Sequence, residues 1–213
     1  MWLLAAVLLF VAEPMQILAL GDARPGAGMP PGWKLRAVRG QKAPDIEVRE
    51  EGAERVLRVH GANRAAWFYR ELSPTLSDTS GRLRWSWRVL EAPATADLRA
   101  ELTDDSPIRV FVTFGKPGLF GRSARVIFYT YGNAEPASYA RASYASDRLH
   151  VIRVDGASER GRWNEHIMNP FADYRRIWGS DAPAITAIGV MQDTEQTGAP
   201  AVAELRRLEW TTP

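Results

Sequence analysis

Apolar and polar residues alternate with period two in several segments of the chain beyond Trp33. In Arg82–Glu91, Leu83, Trp85, Trp87 and Val89 fall on one face, and Arg84, Ser86 and Arg88 on the other. That pattern marks a strand with one buried face. Downstream, Ile108, Val110, Val112 and Phe114 alternate with Arg109, Phe111 and Thr113. The run Ala124–Tyr131, ARVIFYTY, is apolar on both faces and reads as a central strand. Strand candidates are 33–39, 45–50, 54–60, 64–70, 82–91, 108–115, 124–131, 148–155, 162–168, 184–192 and 202–210. Glycine-containing turns punctuate them. Short strands at such spacing predict an all-β fold, an antiparallel β-sandwich of jelly-roll type. Ala201–Trp210 also admits a helical reading, but its place as the closing segment favours a strand.

One segment breaks the period. Phe171, Tyr174, Ile177 and Trp178 form a stripe at helical spacing. Asn169 is placed to cap it, Pro170 suits its first position and Gly179 its stop. One short helix is therefore expected at 170–178, plugging an end of the sandwich.

The N-terminus is different again. Residues 1–20, MWLLAAVLLFVAEPMQILAL, are nearly all apolar. They read as the body of a signal peptide over 1–21, with Ala19 and Gly21 at the cleavage position and a mature start near Asp22. No Lys or Arg precedes the apolar run, and Glu13-Pro14 interrupts it. The same interruption argues against a retained membrane anchor. Residues 22–32 read as a Gly/Pro linker and 33–213 as a single β-sandwich domain.

Composition adds two facts. The 213 residues include no Cys, which excludes a disulfide framework, thiolate ligation and a lipid-modified cysteine. Net charge is +2, and the Lys and Arg are spread along the strands, so no nucleic-acid partner is expected. The 8 Trp read first as core and second as exposed rings that stack on a ligand such as a sugar.

Several motifs together resemble the bacterial domain-of-unknown-function family 3047. They are Trp85-Ser86-Trp87-Arg88-Val89, Ala96-Asp97, Asp104-Asp105 leading into Arg109-Val110-Phe111-Val112, and Trp163-Asn164-Glu165 followed by Asn169 and Asp173-Tyr174. Ala187-Ile188-Gly189-Val190-Met191 with Asp193-Thr194 completes the set. The similarity spans about Trp33 to the C-terminus. Met168 departs from it, standing where the family pattern has Arg. The resemblance implies an extracytoplasmic bacterial β-sandwich and no assigned activity.

No zinc-protease helix, phosphate loop, EF-hand loop or nucleophile elbow occurs. The carboxylates beside the family-like motifs carry whatever chemistry there is. Glu165, with Asp193 or Asp97 as its partner, is the candidate for general acid and base work on a glycosidic bond, if there is catalysis. Arg88, Arg109, Trp163, Glu165 and Asp193 are expected to gather as a binding pocket on one face or end of the sandwich. A buried salt-bridge network of the same residues is the alternative. Asp97, Asp104 and Asp105 are the group to hold calcium if an ion is bound, against a turn-and-cap role for each. No other cofactor is expected. The resulting expectation is a periplasmic or secreted monomer that binds a small molecule or glycan in the envelope. The alternatives are a carboxylate-dependent glycan hydrolase, or a structural or assembly partner in the cell envelope.

Overall fold

The computed structural model describes residues 13–21, 23–116 and 124–212. Residues 1–12, most of the expected signal peptide, and Asp22, its expected mature start, lie outside the described residues. Among the described residues there are fourteen strands. In chain order they begin with β1 (Met15–Gln16), β2 (Gly26–Ala27), β3 (Lys34–Ala37), β4 (Asp45–Glu51) and β5 (Glu54–Ala62). They continue with β6 (Ala65–Leu76), β7 (Arg82–Glu91), β8 (Ser106–Phe114), β9 (Arg125–Tyr131) and β10 (Ala140–Ser143). The last four are β11 (Ser146–Asp155), β12 (Asn164–Met168), β13 (Ile185–Asp193) and β14 (Pro200–Thr211), and one helix, α1 (Pro170–Trp178), precedes β13.

The strands form two sheets packed face to face, an antiparallel β-sandwich of jelly-roll type. Sheet A runs β12-β7-β14-β5-β4-β2, with β1 also paired to β14. Sheet B runs β10-β11-β9-β8-β13-β6-β3. All pairs are antiparallel except β11 on β9, which is parallel. The closing segment is a strand, β14, seated between β7 and β5.

Alternation places the core as the sequence predicts. Leu83, Trp85, Trp87 and Val89 of sheet A face Ile108, Val110, Val112 and Phe114 of sheet B, all essentially inaccessible. Gln192, fully buried, donates its side-chain amide to the Val59 and Pro107 carbonyls and so ties the two sheets. Helix α1 is capped as its sequence requires. The Asn169 side chain accepts from the Phe171 and Ala172 N–H groups, and Gly179 ends it at φ 66°. Phe171 and Tyr174 pack its inner face against Phe114.

Two features differ from the expected layout. The sandwich begins well before Trp33. Met15 and Gln16 pair with Trp210 and Glu209, and Ile17, Leu18 and Leu20 are buried in the main core. The Ile17 and Leu18 N–H groups both donate to the Leu208 carbonyl, and Trp33 Nε1 donates to the Ile17 carbonyl. The stretch that hydropathy assigns to the end of a leader is thus packed strand and core. The second feature is sheet B, which is apolar on both faces. Beneath the interior residues, Phe111, Val126, Phe128, Val151 and Met191 form a separate cluster on its outer face.

Candidate functional site

The outer face of sheet B is concave. Val38, next to β3, and Leu149 of β11 line one cleft. In the sheet order β3 and β11 are separated by four strands, which in a flat sheet would hold them about 24 Å apart. The sheet must therefore curl around the cleft. Its volume is about 250 Å³.

Period two builds this face from residues opposite in parity to the core. Register sets Trp67 of β6, Met191 of β13, Arg109 of β8 and Thr130 of β9 side by side across the sheet. Phe128, two residues from Thr130, forms part of the floor, and Trp67 meets it with ring centroids 5.0 Å apart. Tyr144, in the turn between β10 and β11, stands at the rim and is 42% exposed. The Arg141 guanidinium lies 3.8 Å over its ring and holds the rim in place.

A charged group sits at one end. Arg109 is buried, 3% exposed, on a face that would otherwise be apolar. Its Nη2 donates to the Asp104 carbonyl at 2.7 Å and to the Asp104 carboxylate at 3.2 Å, and lies 3.6 Å from Asp193. Arg141 reaches the other Asp104 oxygen at 2.6 Å. Burial pushes the Asp193 carboxyl up from the ordinary 3.8 to about 7. Attraction to Arg109 opposes this, and the nearby Asp105, Glu195 and Asp104 add to the rise. At 3.6 Å Arg109 gives Asp193 no hydrogen bond, because its Nη2 is committed to Asp104, so burial wins. Arg109 Nε, Asp193 Oδ1 and Glu195 Oε2 are all buried without a hydrogen-bond partner. Glu195 and Gln196 are held over the cleft by Asp105. That carboxylate accepts from the Gln196 and Thr197 N–H groups and from the Thr197 hydroxyl at 2.5 Å.

The five residues expected to share one pocket divide between the two sheets. Arg109 and Asp193 meet in the cleft of sheet B. Arg88, Trp163 and Glu165 lie on the outer face of sheet A, at the far side of the core. There Glu204 of β14, 1% exposed, takes Arg58 on one oxygen at 2.6 Å and Arg88 on the other. Burial pushes the Glu204 carboxyl up, but the hydrogen bonds from Arg58 and Arg88 outweigh it and hold it below its ordinary value. Trp163 lies between the Arg88 and Arg206 guanidiniums, each 4.7 Å from its ring. Glu165 accepts from Arg206 and Arg207 at 3.2 Å each. These side chains form an ion network on sheet A, and Glu165 and Asp193, on opposite sides of the sandwich, do not flank one site.

The three acids expected to group around an ion each engage a protein donor: Asp97 pairs with Arg99, Asp104 with Arg109 and Arg141, Asp105 with the 196–197 backbone. Among the described residues no three His, Asp or Glu side chains are arranged to hold a metal ion. His166 is a packed histidine. It stacks on Trp85 at 4.8 Å and contacts the Asp155 carboxylate at 2.9 Å. Sequence reasoning missed Trp67, Phe128, Tyr144, Glu195 and Gln196. A signal for the first two was present, since β6 and β9 are apolar on both faces and a second apolar face must be covered or used.

A family model described as "Protein of unknown function (DUF3047)" matches residues 31–209. None of the curated proteins matches the chain. Among solved structures, a family 11 carbohydrate-binding module from Clostridium thermocellum, in complex with a β-1,3-1,4-mixed-linked tetrasaccharide, is similar with a TM-score of 0.50 at 10% identity. The alignment covers 94% of this chain and 97% of that one. The xyloglucanase domain of NopAA, a type three effector from Sinorhizobium fredii, in complex with cellobiose, has a TM-score of 0.47 at 11% identity, covering 89% and 98%. At such identity the likeness is one of fold.

Proposed function

The chain belongs to the DUF3047 family, whose function is unknown, and from that premise we propose that it is a glycan-binding protein whose site is the concave face of sheet B. One observation carries the reading. A single cleft combines an exposed aromatic ring, Tyr144 at the rim, and a floor that includes Trp67 and Phe128 with a charged cluster of Asp104, Arg109, Asp193 and Glu195. The C–H faces of a sugar ring lie on an aromatic ring while its hydroxyls bridge such groups. Near neutral pH the protonated Asp193 is a donor as well as an acceptor, which suits a hydroxyl. The fold shared with the carbohydrate-binding module supports the reading as analogy alone.

Export to the periplasm or beyond is part of the proposal, supported by the apolar run over 1–12. With Ile17, Leu18 and Leu20 in the core, processing falls ahead of Met15.

Calorimetric titration of the protein with a panel of soluble oligosaccharides, neutral and acidic, tests the reading. Saturable binding to at least one is expected, with Tyr144→Ala weakening it about tenfold or more. Absence of binding across the panel, or a Tyr144→Ala protein that binds like the parent, overturns it.

A second reading, glycan hydrolysis, draws on the Asp193 carboxyl at about 7, a value suited to a general acid. Its partner would come from Asp104, Glu195 or Glu101 in the same cleft, and not from Glu165. Release of reducing ends that is lost in Asp193→Asn would establish it.

A further inference from the structure

The cleft over sheet B continues into a second hollow of about 230 Å³, with which it shares Val38, Trp67 and Leu149. The two ends of this groove have opposite character. Glu101, Asp104, Asp193 and Glu195 line the first, where Arg109 is the cation lining the cleft. Arg36, Arg39 and Arg148 line the second, over a floor of Val38, Ala124 and Val126, and no acid lines it.

Arg39 and Arg148 are exposed and make no ion pair and no side-chain hydrogen bond among the described residues. They come from opposite sides of the sheet, Arg39 just past the edge strand β3 and Arg148 in β11, one strand in from the other edge; both line this hollow, and Arg148 also borders a neighbouring one with Arg125 and Tyr174. Other arginines of the strands have an acceptor: Arg58, Arg88, Arg109, Arg206 and Arg207 have carboxylates, Arg55 and Arg70 have backbone carbonyls, and Arg125 has the Tyr174 hydroxyl. Two guanidiniums left to face a shared hollow repel each other and present planar forks with no acceptor. An oxyanion seated between them removes the repulsion and accepts in bidentate fashion from either.

We infer that the groove takes an anionic glycan, with a sugar-borne carboxylate, sulfate or phosphate held by Arg39 and Arg148 and a neighbouring ring seated at Tyr144. The inference rests on the glycan-binding reading and adds the substrate class and the direction in which the chain lies. The net charge of +2 gives no hint of it, because the acids at the other end of the groove offset the arginines.

The test is calorimetric titration with three oligosaccharides of matched length, one uronate-bearing, one sulfated and one neutral. The proteins are the parent chain and the double variant Arg39→Gln/Arg148→Gln. Both residues are exposed, and an unchanged melting temperature verifies the fold of the variant. The parent is expected to bind one anionic ligand about tenfold more tightly than the neutral one, with a preference that shrinks as salt rises. The double variant should lose that preference and keep its affinity for the neutral ligand. Whichever anionic ligand binds better identifies the oxyanion. If the parent binds the neutral ligand as tightly as either anionic one, or if the double variant keeps the preference, the inference fails and glycan binding stands. If none of the three binds, the glycan-binding reading fails first and the inference with it. Single-stranded DNA of similar length binding as tightly as the best sugar would also overturn it.

Discussion

Asp193 lies 3.6 Å from the buried guanidinium of Arg109 yet receives no hydrogen bond from it. Burial therefore sets the behaviour of this acid, and its carboxyl rises to about 7. The folded protein keeps a proton there that the unfolded chain gives up near pH 4. Between about pH 4 and pH 7 the folded state binds more protons, so stability falls as pH rises through that window. Linkage bounds the loss at about 4 kcal/mol. Asp193→Asn should flatten this slope and be more stable than the parent at pH 8. Urea unfolding at pH 5, 6.5 and 8 measures it; parallel profiles for the two proteins would mean that Asp193 ionises normally.

Glycine at 189 is required by its neighbours. A Cβ there would lie 2.1 Å from the Phe68 carbonyl oxygen and 2.6 Å from Tyr69 Cα, both backbone atoms that cannot give way cheaply. Gly189→Ala should cost about 2–3 kcal/mol and shift β13 against β6. A melting temperature within a degree of the parent would show that the strands spread without cost.

The alternation that made β7 and β8 legible also hid the site. One buried face per strand follows directly from Leu83, Trp85, Trp87 and Val89, and the caps of α1 follow from Asn169, Pro170 and Gly179. Arg109 and Asp193 were legible as residues that a mostly apolar setting must partner. Their separation from Arg88, Trp163 and Glu165 was not, because period two tells which residues share a face of one strand and not which sheet that strand joins. Trp67 and Phe128 stayed hidden for a related reason. Where both parities are apolar, the pattern cannot say which one is interior. At the N-terminus hydropathy served two ends, since a leader and a buried edge strand need the same residues.

Trp87 ties the sheets through a single polar contact in the core. Its indole N–H donates to the Asp155 carboxylate at 2.5 Å, and His166 contacts the same oxygen. Trp87→Phe removes the donor and leaves a small void, for an expected cost of about 2–4 kcal/mol. Glycan binding should be unchanged, because the cleft lies on the far face of sheet B. Loss of binding at unchanged stability would contradict that layout.

The ion network on sheet A gives a contrast within one surface. Glu204 is buried between Arg58 and Arg88, so Glu204→Gln should cost about 3 kcal/mol or more. Glu165, with its side chain 47% exposed, should cost less than about 1 kcal/mol as Glu165→Gln. Neither variant should alter ligand affinity. Binding lost in Glu165→Gln with stability intact would move the site to sheet A.

The N-terminal strap supports the last prediction. Ile17 is fully buried, Leu18 and Leu20 nearly so, and the Ile17 and Leu18 N–H groups both reach the Leu208 carbonyl. Full burial of such a side chain contributes about 1.5–3 kcal/mol, less some fraction because the unfolded chain is itself partly compact. Removing residues 1–21 should therefore cost about 4–6 kcal/mol, a large share of the 5–15 kcal/mol that holds an ordinary domain together. It would also expose the faces of Trp33 and Trp210. Removing residues 1–12 alone leaves β1 and its core residues in place and should leave the melting temperature within a few degrees of the full chain. Comparing the two truncations by thermal and urea unfolding separates strap from leader. A domain lacking residues 1–21 that melts like the longer one would show that 15–20 only rest on the sandwich. N-terminal sequencing of the protein from its native host then has a defined expectation, a start ahead of Met15.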